Sequence, residues 1–198
     1  MRRTRLTTQL MVLGVALFSG AMLRAIAAES QGTASVTPEQ KKARVERGAY
    51  LVTMMGCNDC HTPWKMGAQG PEPDMARALT GHPQDMVMPP PPPASGPWIW
   101  HGAATNTAFA GPWGVSFTAN LTPDPETGLG KWTEDMFLAT MRTARHQGKG
   151  RPILPPMPVK MIGKANDEDL KSIFAYLQSL PPVKNRVPQP IDPPEGQQ

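Results

Sequence analysis

Three capped, amphipathic segments, with no stretch between them alternating convincingly as a strand, predict an all-α domain. The first helix is predicted from Thr37, which can cap it, with Pro38 suited to the first turn and Gln40 completing a capping box. It runs through Lys41 to Met55 with Val45, Ala49 and Val52 on one stripe, and Gly56 ends it. Gly48 inside it costs about 1 kcal/mol relative to Ala, so either a close helix crossing compensates or the glycine is simply tolerated. The second helix follows Trp132, with Thr133 as cap, Glu134 and Asp135 in the first turn, and Met136, Phe137, Thr140, Met141 and Ala144 facing inward. Arg142, Arg145 and His146 suit its C-terminal end. The last helix carries the clearest signal. Asn166 caps it, Asp167, Glu168 and Asp169 oppose the dipole, Leu170, Ile173, Phe174, Leu177 and Leu180 recur at helical spacing, and Pro181-Pro182 stops it.

A chain of 198 residues holds one ordinary core with long connections, and its 24 prolines and 18 glycines point to a fold rich in loops. The formal charge of +4 would invite a nucleic-acid or acidic-membrane reading, but its location argues otherwise. Arg2, Arg3 and Arg5 precede an apolar stretch from Leu10 to Leu23, and Ala25-Ile26-Ala27 offers a small-x-small cleavage pattern. Residues 1–27 therefore read as an export signal, with cleavage favoured over retention as an anchor because the apolar run is short and closed by Arg24. Their removal takes four of the twenty basic residues and none of the sixteen acidic ones, leaving a formally neutral product with no surplus for nucleic acid. A flexible segment is expected over 28–36.

The only two cysteines lie in Cys57-Asn58-Asp59-Cys60-His61, a C-x-x-C-H motif. A disulfide closing so short a loop removes little chain entropy. Zinc would need two further soft ligands, and His82, His101 and His146 lack the spacing. A redox dithiol expects a βαβ setting, which the flanks do not provide. Covalent attachment of haem c accounts for every letter: Cys57 and Cys60 add to the two vinyl groups of one porphyrin edge, and His61 turns its imidazole towards the iron. One such motif predicts one haem.

Between the motif and the second helix, Pro89 to Pro93 must be extended polyproline II, and Trp98, Trp100, Phe109, Trp113 and Phe117 follow in a glycine-rich stretch. This aromatic group reads either as a satellite core over the haem edge or as a docking surface for a redox partner.

Arg47-Gly48-Ala49-Tyr50-Leu51-Val52 leading to Gly56-Cys57-Asn58-Asp59-Cys60-His61-Thr62-Pro63 resembles the haem segment of class I c-type cytochromes, in particular the monohaem, dehydrogenase-associated cytochromes of the bacterial periplasm. So do Asn120-Leu121-Thr122-Pro123-Asp124 with Thr127-Gly128-Leu129-Gly130 and Trp132, and Pro155-Pro156-Met157-Pro158 with Asp167-Glu168-Asp169-Leu170 and Ala175-Tyr176-Leu177. The resemblance implies His61 as proximal and Met157 as distal iron ligand. It also suggests Trp132 or Arg142 as hydrogen-bonding groups towards the propionates. A methionine framed by prolines sits on a stiff loop, which suits the distal role independently; Met161 is the runner-up, then Met86 and Met88. The expected organisation is a helical domain over 37–183 with a loop insert at 64–118 and a proline-rich tail over 184–198. The expected function is single-electron transfer in the periplasm between a dehydrogenase donor and a cytochrome or oxidase acceptor, as a free carrier or as the cytochrome subunit of a dehydrogenase complex. Neither is catalytic. A haem enzyme or gas sensor would need an open iron site, which His/Met ligation closes.

Overall fold

A computed structural model describes residues 36–93 and 96–193. The expected export signal 1–27, the segment 28–35 and the last residues of the tail, 194–198, lie outside the described residues, so the expectations about them are not addressed by the structure.

The three expected helices form where their caps place them. Helix α1 (Pro38–Met54) begins with both halves of the Thr37–Gln40 capping box. The C-x-x-C-H motif itself forms a single turn, α2 (Cys57–His61), entered through Gly56 at φ +66°. Helix α3 (Glu134–Thr143) starts where the Thr133 side chain accepts from the Met136 N–H. A short helix α4 (Val159–Ile162) precedes α5 (Asp167–Ser179), which is capped by Asn166 accepting from Asp169.

The fold is mixed α and β, which corrects the all-α expectation. Among the described residues there are five strands, and all fall in the 64–118 insert. Strands β1 (Trp64–Gly67) and β2 (Gly70–Pro73) form an antiparallel hairpin, while β3 (His101–Gly102), β4 (Ala108–Gly111) and β5 (Gly114–Phe117) form a three-stranded antiparallel sheet in that order. Period-two alternation marks a strand with one wet face. The first three residues of both β4 and β5 are buried, so side chains on both faces are covered and that signal is missing. In β1 and β2 the run is four residues long and includes Pro71 and Pro73 at its edge.

The helical core gathers Leu51 and Val52 of α1, Phe137 of α3, Ile162 of α4, and Leu170, Ile173, Phe174 and Leu177 of α5. Burying each such side chain contributes roughly 1.5–3 kcal/mol. The α1–α5 crossing depends on Gly48: a Cβ there would stand 1.9 Å from the Ser172 carbonyl oxygen and 2.7 Å from the Tyr176 Cβ. The glycine inside α1 thus has a packing reason, the close crossing. Ion pairs at or near the surface, Arg47 with Asp169 at 2.9 Å and Arg44 with Glu134 and Glu168 at 3.3 Å, flank the same interface. They add little individually.

Residues 183–193 run back across the insert. The Asn185 side chain donates to the carbonyls of Thr80 (2.7 Å) and His82 (2.9 Å) and accepts from the Gln84 N–H (2.9 Å). Val115 and Ile191 exchange both backbone hydrogen bonds. That approach requires Gly114, which has φ +88° and whose Cβ would lie 2.0 Å from the Ile191 oxygen.

Among the described residues no helix is long and apolar enough to cross a membrane.

Candidate functional site

Helix α2 brings Cys57, Cys60 and His61 onto one turn beneath the end of α1. Both thiols are half-buried and unpaired. Burial pushes the Cys57 thiol up to about 11 and raises that of Cys60 as well. Redox dithiols in C-x-x-C motifs have lowered thiol values, so the electrostatics here run opposite to those of a dithiol oxidoreductase.

His61 is buried, and its Nδ1 lies 2.8 Å from the Ala119 carbonyl oxygen. A carbonyl can only accept, so Nδ1 carries the proton and Nε2 keeps its lone pair. Burial lowers the imidazole below its ordinary value and keeps it neutral. A neutral ring, oriented through Nδ1–H and with its other nitrogen basic, is the state a metal-ligating histidine needs. Thr62 stiffens the exit from α2: its hydroxyl donates to the Asn58 side chain (2.9 Å) and accepts the Leu79 N–H (3.0 Å).

Met157 is half-buried and packs against the helical core, whereas Met161 on α4 is 63% exposed. The Met157 loop is held from the insert, because the Ser116 hydroxyl donates to the Pro155 carbonyl at 2.6 Å. The Ala119 carbonyl, three residues beyond Ser116, fixes His61. One short stretch of chain therefore supports both expected ligands. Sequence reading missed Ser116 and Ala119; a backbone acceptor leaves no sequence signal, and the serine carries none outside its tertiary setting.

The other candidates are occupied elsewhere. Arg142 contacts the Gly163 carbonyl and pairs with Asp167, tying α3 to the start of α5. Trp132 packs on the core and meets the His146 ring edge-on at 5.1 Å between centroids. His82 is fully buried between Thr107 (2.9 Å), the Met86 carbonyl (3.1 Å) and the Phe117 ring. Met88, half-buried, lines a small cleft with the proline run and strand β4, and Met86 is exposed. The aromatic group divides: Phe109 is buried and in contact with Trp100, while Trp98 is 68% exposed. Three buried polar atoms of the insert, His101 Nε2, Trp113 Nε1 and Thr118 Oγ1, have no hydrogen-bond partner among the described residues. A thioether at Met157, a neutral imidazole at His61 and the two adjoining thiols are donor types that fit haem c.

No family model matches the chain. Several curated proteins do. A nicotinate dehydrogenase subunit of Pseudomonas putida is 36% identical over 85 residues, 43% of this chain and 7% of that protein. The cytochrome c subunit of quinone alcohol dehydrogenase from Gluconobacter oxydans is 25% identical over 150 residues, 74% of this chain and 24% of that subunit. The fructose dehydrogenase cytochrome subunit of Gluconobacter japonicus is 24% identical over 183 residues, 89% of this chain and 30% of that subunit. The chain thus spans less than a third of the length of each of these relatives. The likeness to cytochrome subunits of several dehydrogenases is low in identity but extends over most of the chain.

Proposed function

We propose that this protein is an exported electron-transfer cytochrome that carries one haem c, joined through Cys57 and Cys60, and serves as the cytochrome component of a dehydrogenase system in the periplasm. His61 and Met157 are the iron ligands in this reading. The observation that carries it is the buried His61 whose Nδ1–H is engaged by Ala119, leaving Nε2 free as a ligand directly after the two thiols. When bound, haem c supplies a one-electron ferric/ferrous couple. The chain's own part is to hold the imidazole, brace the Met157 loop through Ser116 and keep water from the site with the insert. No side chain is asked to exchange a substrate proton, so the protein is an electron carrier and not the catalytic subunit.

The dehydrogenase supplies electrons and a cytochrome or oxidase accepts them. The relatives favour a subunit over a free carrier, since the names of several of them denote cytochrome subunits of dehydrogenases. Export rests on the residue 1–27 pattern, and membrane association would require that segment to be retained.

The test is optical. Haem that stays with the protein in acidic organic solvent, in one equivalent per chain by the pyridine method, supports the reading; extractable haem refutes covalent attachment. Loss of the weak far-red band of the ferric protein in Met157→Ala, with the band kept in Met161→Ala, supports the distal ligand. The opposite pattern refutes it.

A further inference from the structure

From Met86 to Pro123 the chain holds no Lys, Arg, Asp or Glu, although such residues make up 18% of the whole sequence. Within this span large apolar side chains are left outside: Val87 is 91% exposed, and Trp98, Ile99 and Trp100 stand exposed in succession. Depletion of charge together with exposed Trp and Met marks the centre of an interface and not open surface. These residues adjoin in space. Met88 and Pro89 to Pro92 line a cleft with His101 and Gly102, and Pro97 to Trp100 line a second cleft with the same two residues. The proline run and the Trp98-Ile99-Trp100 ridge therefore meet along β3.

The patch also contains an open sheet edge. The other edge of the three-stranded sheet, β5, is met by the chain itself where Val115 pairs with Ile191. Nothing among the described residues pairs with the outer side of β3. The Ala103 N–H bonds inward to the Ala108 carbonyl (2.8 Å). Bonded pairs alternate along an antiparallel ladder, so Gly102 turns its N–H and C=O outward. The backbone of Trp98, Ile99 and Trp100 likewise has no hydrogen-bonding partner among the described residues. Proteins commonly blunt such edges with charge, as Lys65 and Glu72 do on the β1–β2 hairpin. The β3 edge carries none.

We propose that β3 and the ridge before it form a dimerisation surface, on which a second copy of this chain adds its own β3 edge antiparallel to the first. The inference goes beyond the functional reading and does not rest on it. Two identical edges paired antiparallel are related by a two-fold axis, so the same groups satisfy one another on both sides. Centred on Ile99, that pairing sets Trp98 of each copy opposite Trp100 of the other, an aromatic cross-strand pair of the kind that stabilises sheets. A surface without charge also meets its own copy with no like-charge repulsion. The size is right as well. Met86, Val87, Trp98, Ile99 and Trp100 together expose on the order of 700 Å², and the exposed prolines add to this, against roughly 800 Å² for one side of a standard interface. A bilayer does not fit, because hydrocarbon offers nothing to the open N–H and C=O groups of the edge.

The test is the association state of the full chain by analytical ultracentrifugation from about 1 to 100 µM, the range in which an interface of this size declares itself. The mass should rise to twice that of the chain, with a dissociation constant that changes less than about twofold between low and high salt, because no ion pair holds the interface. Ile99→Lys, which sets two cations across the axis, is expected to weaken association at least about thirtyfold, and Trp98→Ser about tenfold. Met66→Lys, a charge added at an exposed site of β1, should change it less than about twofold. All three positions are exposed, so circular dichroism should show the parent fold in each variant. Hydrogen exchange reads the strand pairing directly: the amides of Trp98, Trp100 and Gly102 should be at least about tenfold better protected in the dimer than in the Ile99→Lys monomer. Haem content is measured separately, so extractable haem would refute the functional reading and leave this one standing. A monomer throughout the concentration range, association that survives both Ile99→Lys and Trp98→Ser, or a dimer without that protection would each overturn the proposal. So would a monomer that binds phosphatidylcholine vesicles and loses that binding in Ile99→Lys, which would assign the patch to a lipid surface.

Discussion

Replacing Gly48 with alanine tests whether the α1–α5 crossing is as close as the structure makes it. The new Cβ would lie 1.9 Å from the Ser172 carbonyl oxygen, 2.6 Å from the Ser172 carbonyl carbon and 2.7 Å from the Tyr176 Cβ. A relaxed carbon contact needs roughly 3.5 Å, so the helices must separate by about 1.6 Å. Two of the obstructing atoms are backbone and cannot rotate aside. Overpacking of this kind costs about 1–3 kcal/mol, and parting the helices loosens the contacts of Leu51, Val52, Ile173 and Leu177. Against this, alanine gains about 1 kcal/mol of helix propensity over glycine. With backbone atoms in the way the cost falls in the upper part of that range, and the net expectation is a loss of about 1–2 kcal/mol, or roughly 2–8 °C in melting temperature for a domain of this size. Urea titration of the haem-loaded protein by circular dichroism measures it. Ala43→Gly, at an exposed site of the same helix, calibrates the propensity contribution and should cost about 1 kcal/mol. If Gly48→Ala proves as stable as the parent, the close crossing is wrong.

Asn185→Ala removes a buried side chain that serves two carbonyls and one N–H, so about 2–4 kcal/mol of stability should go, with faster proteolysis after residue 183 as a second readout. Ser116→Ala loses the bond to Pro155; the far-red band should melt at lower temperature, with a stability change of only about 1 kcal/mol. Burial lowers the His82 imidazole, so the folded protein holds it neutral while the unfolded chain takes up a proton near pH 6.5. The stabilisation from a neutral His82 is full above that pH and is lost as the pH falls through the folded value; the urea midpoint of His82→Asn should vary less between pH 7 and 5 than that of the parent. Arg47 holds the Asp169 carboxyl below its usual range, so this contribution is present above about pH 4 and disappears as acid protonates the folded carboxylate. Asp169→Asn should flatten the acid limb of the stability profile without moving the neutral plateau by more than about 1 kcal/mol.

Much of the helical framework is legible in the sequence because its signals are local. The caps at Thr37, Thr133 and Asn166 satisfy N–H groups within three residues, and the α5 stripe reports the face it buries. The α1 stripe is less legible: Gly48, Leu51 and Val52 are the buried residues, while Val45 and Ala49 are only half-buried. The interface is set by the glycine contact and not by the most apolar row.

The amino-acid sequence by itself determined the chemistry on offer: two thiols and an imidazole at fixed spacing and a methionine framed by prolines. Only the tertiary structure decided how these are supported. Strands β4 and β5 of the insert are buried on both faces and so carry no alternation, and β5 takes a partner remote in sequence, Val115 with Ile191, which leaves no local trace. The orientation of His61 comes from the carbonyl of Ala119, and the brace on the Met157 loop comes from Ser116. A backbone acceptor has no side-chain identity, so its role exists only once the chain has folded around it.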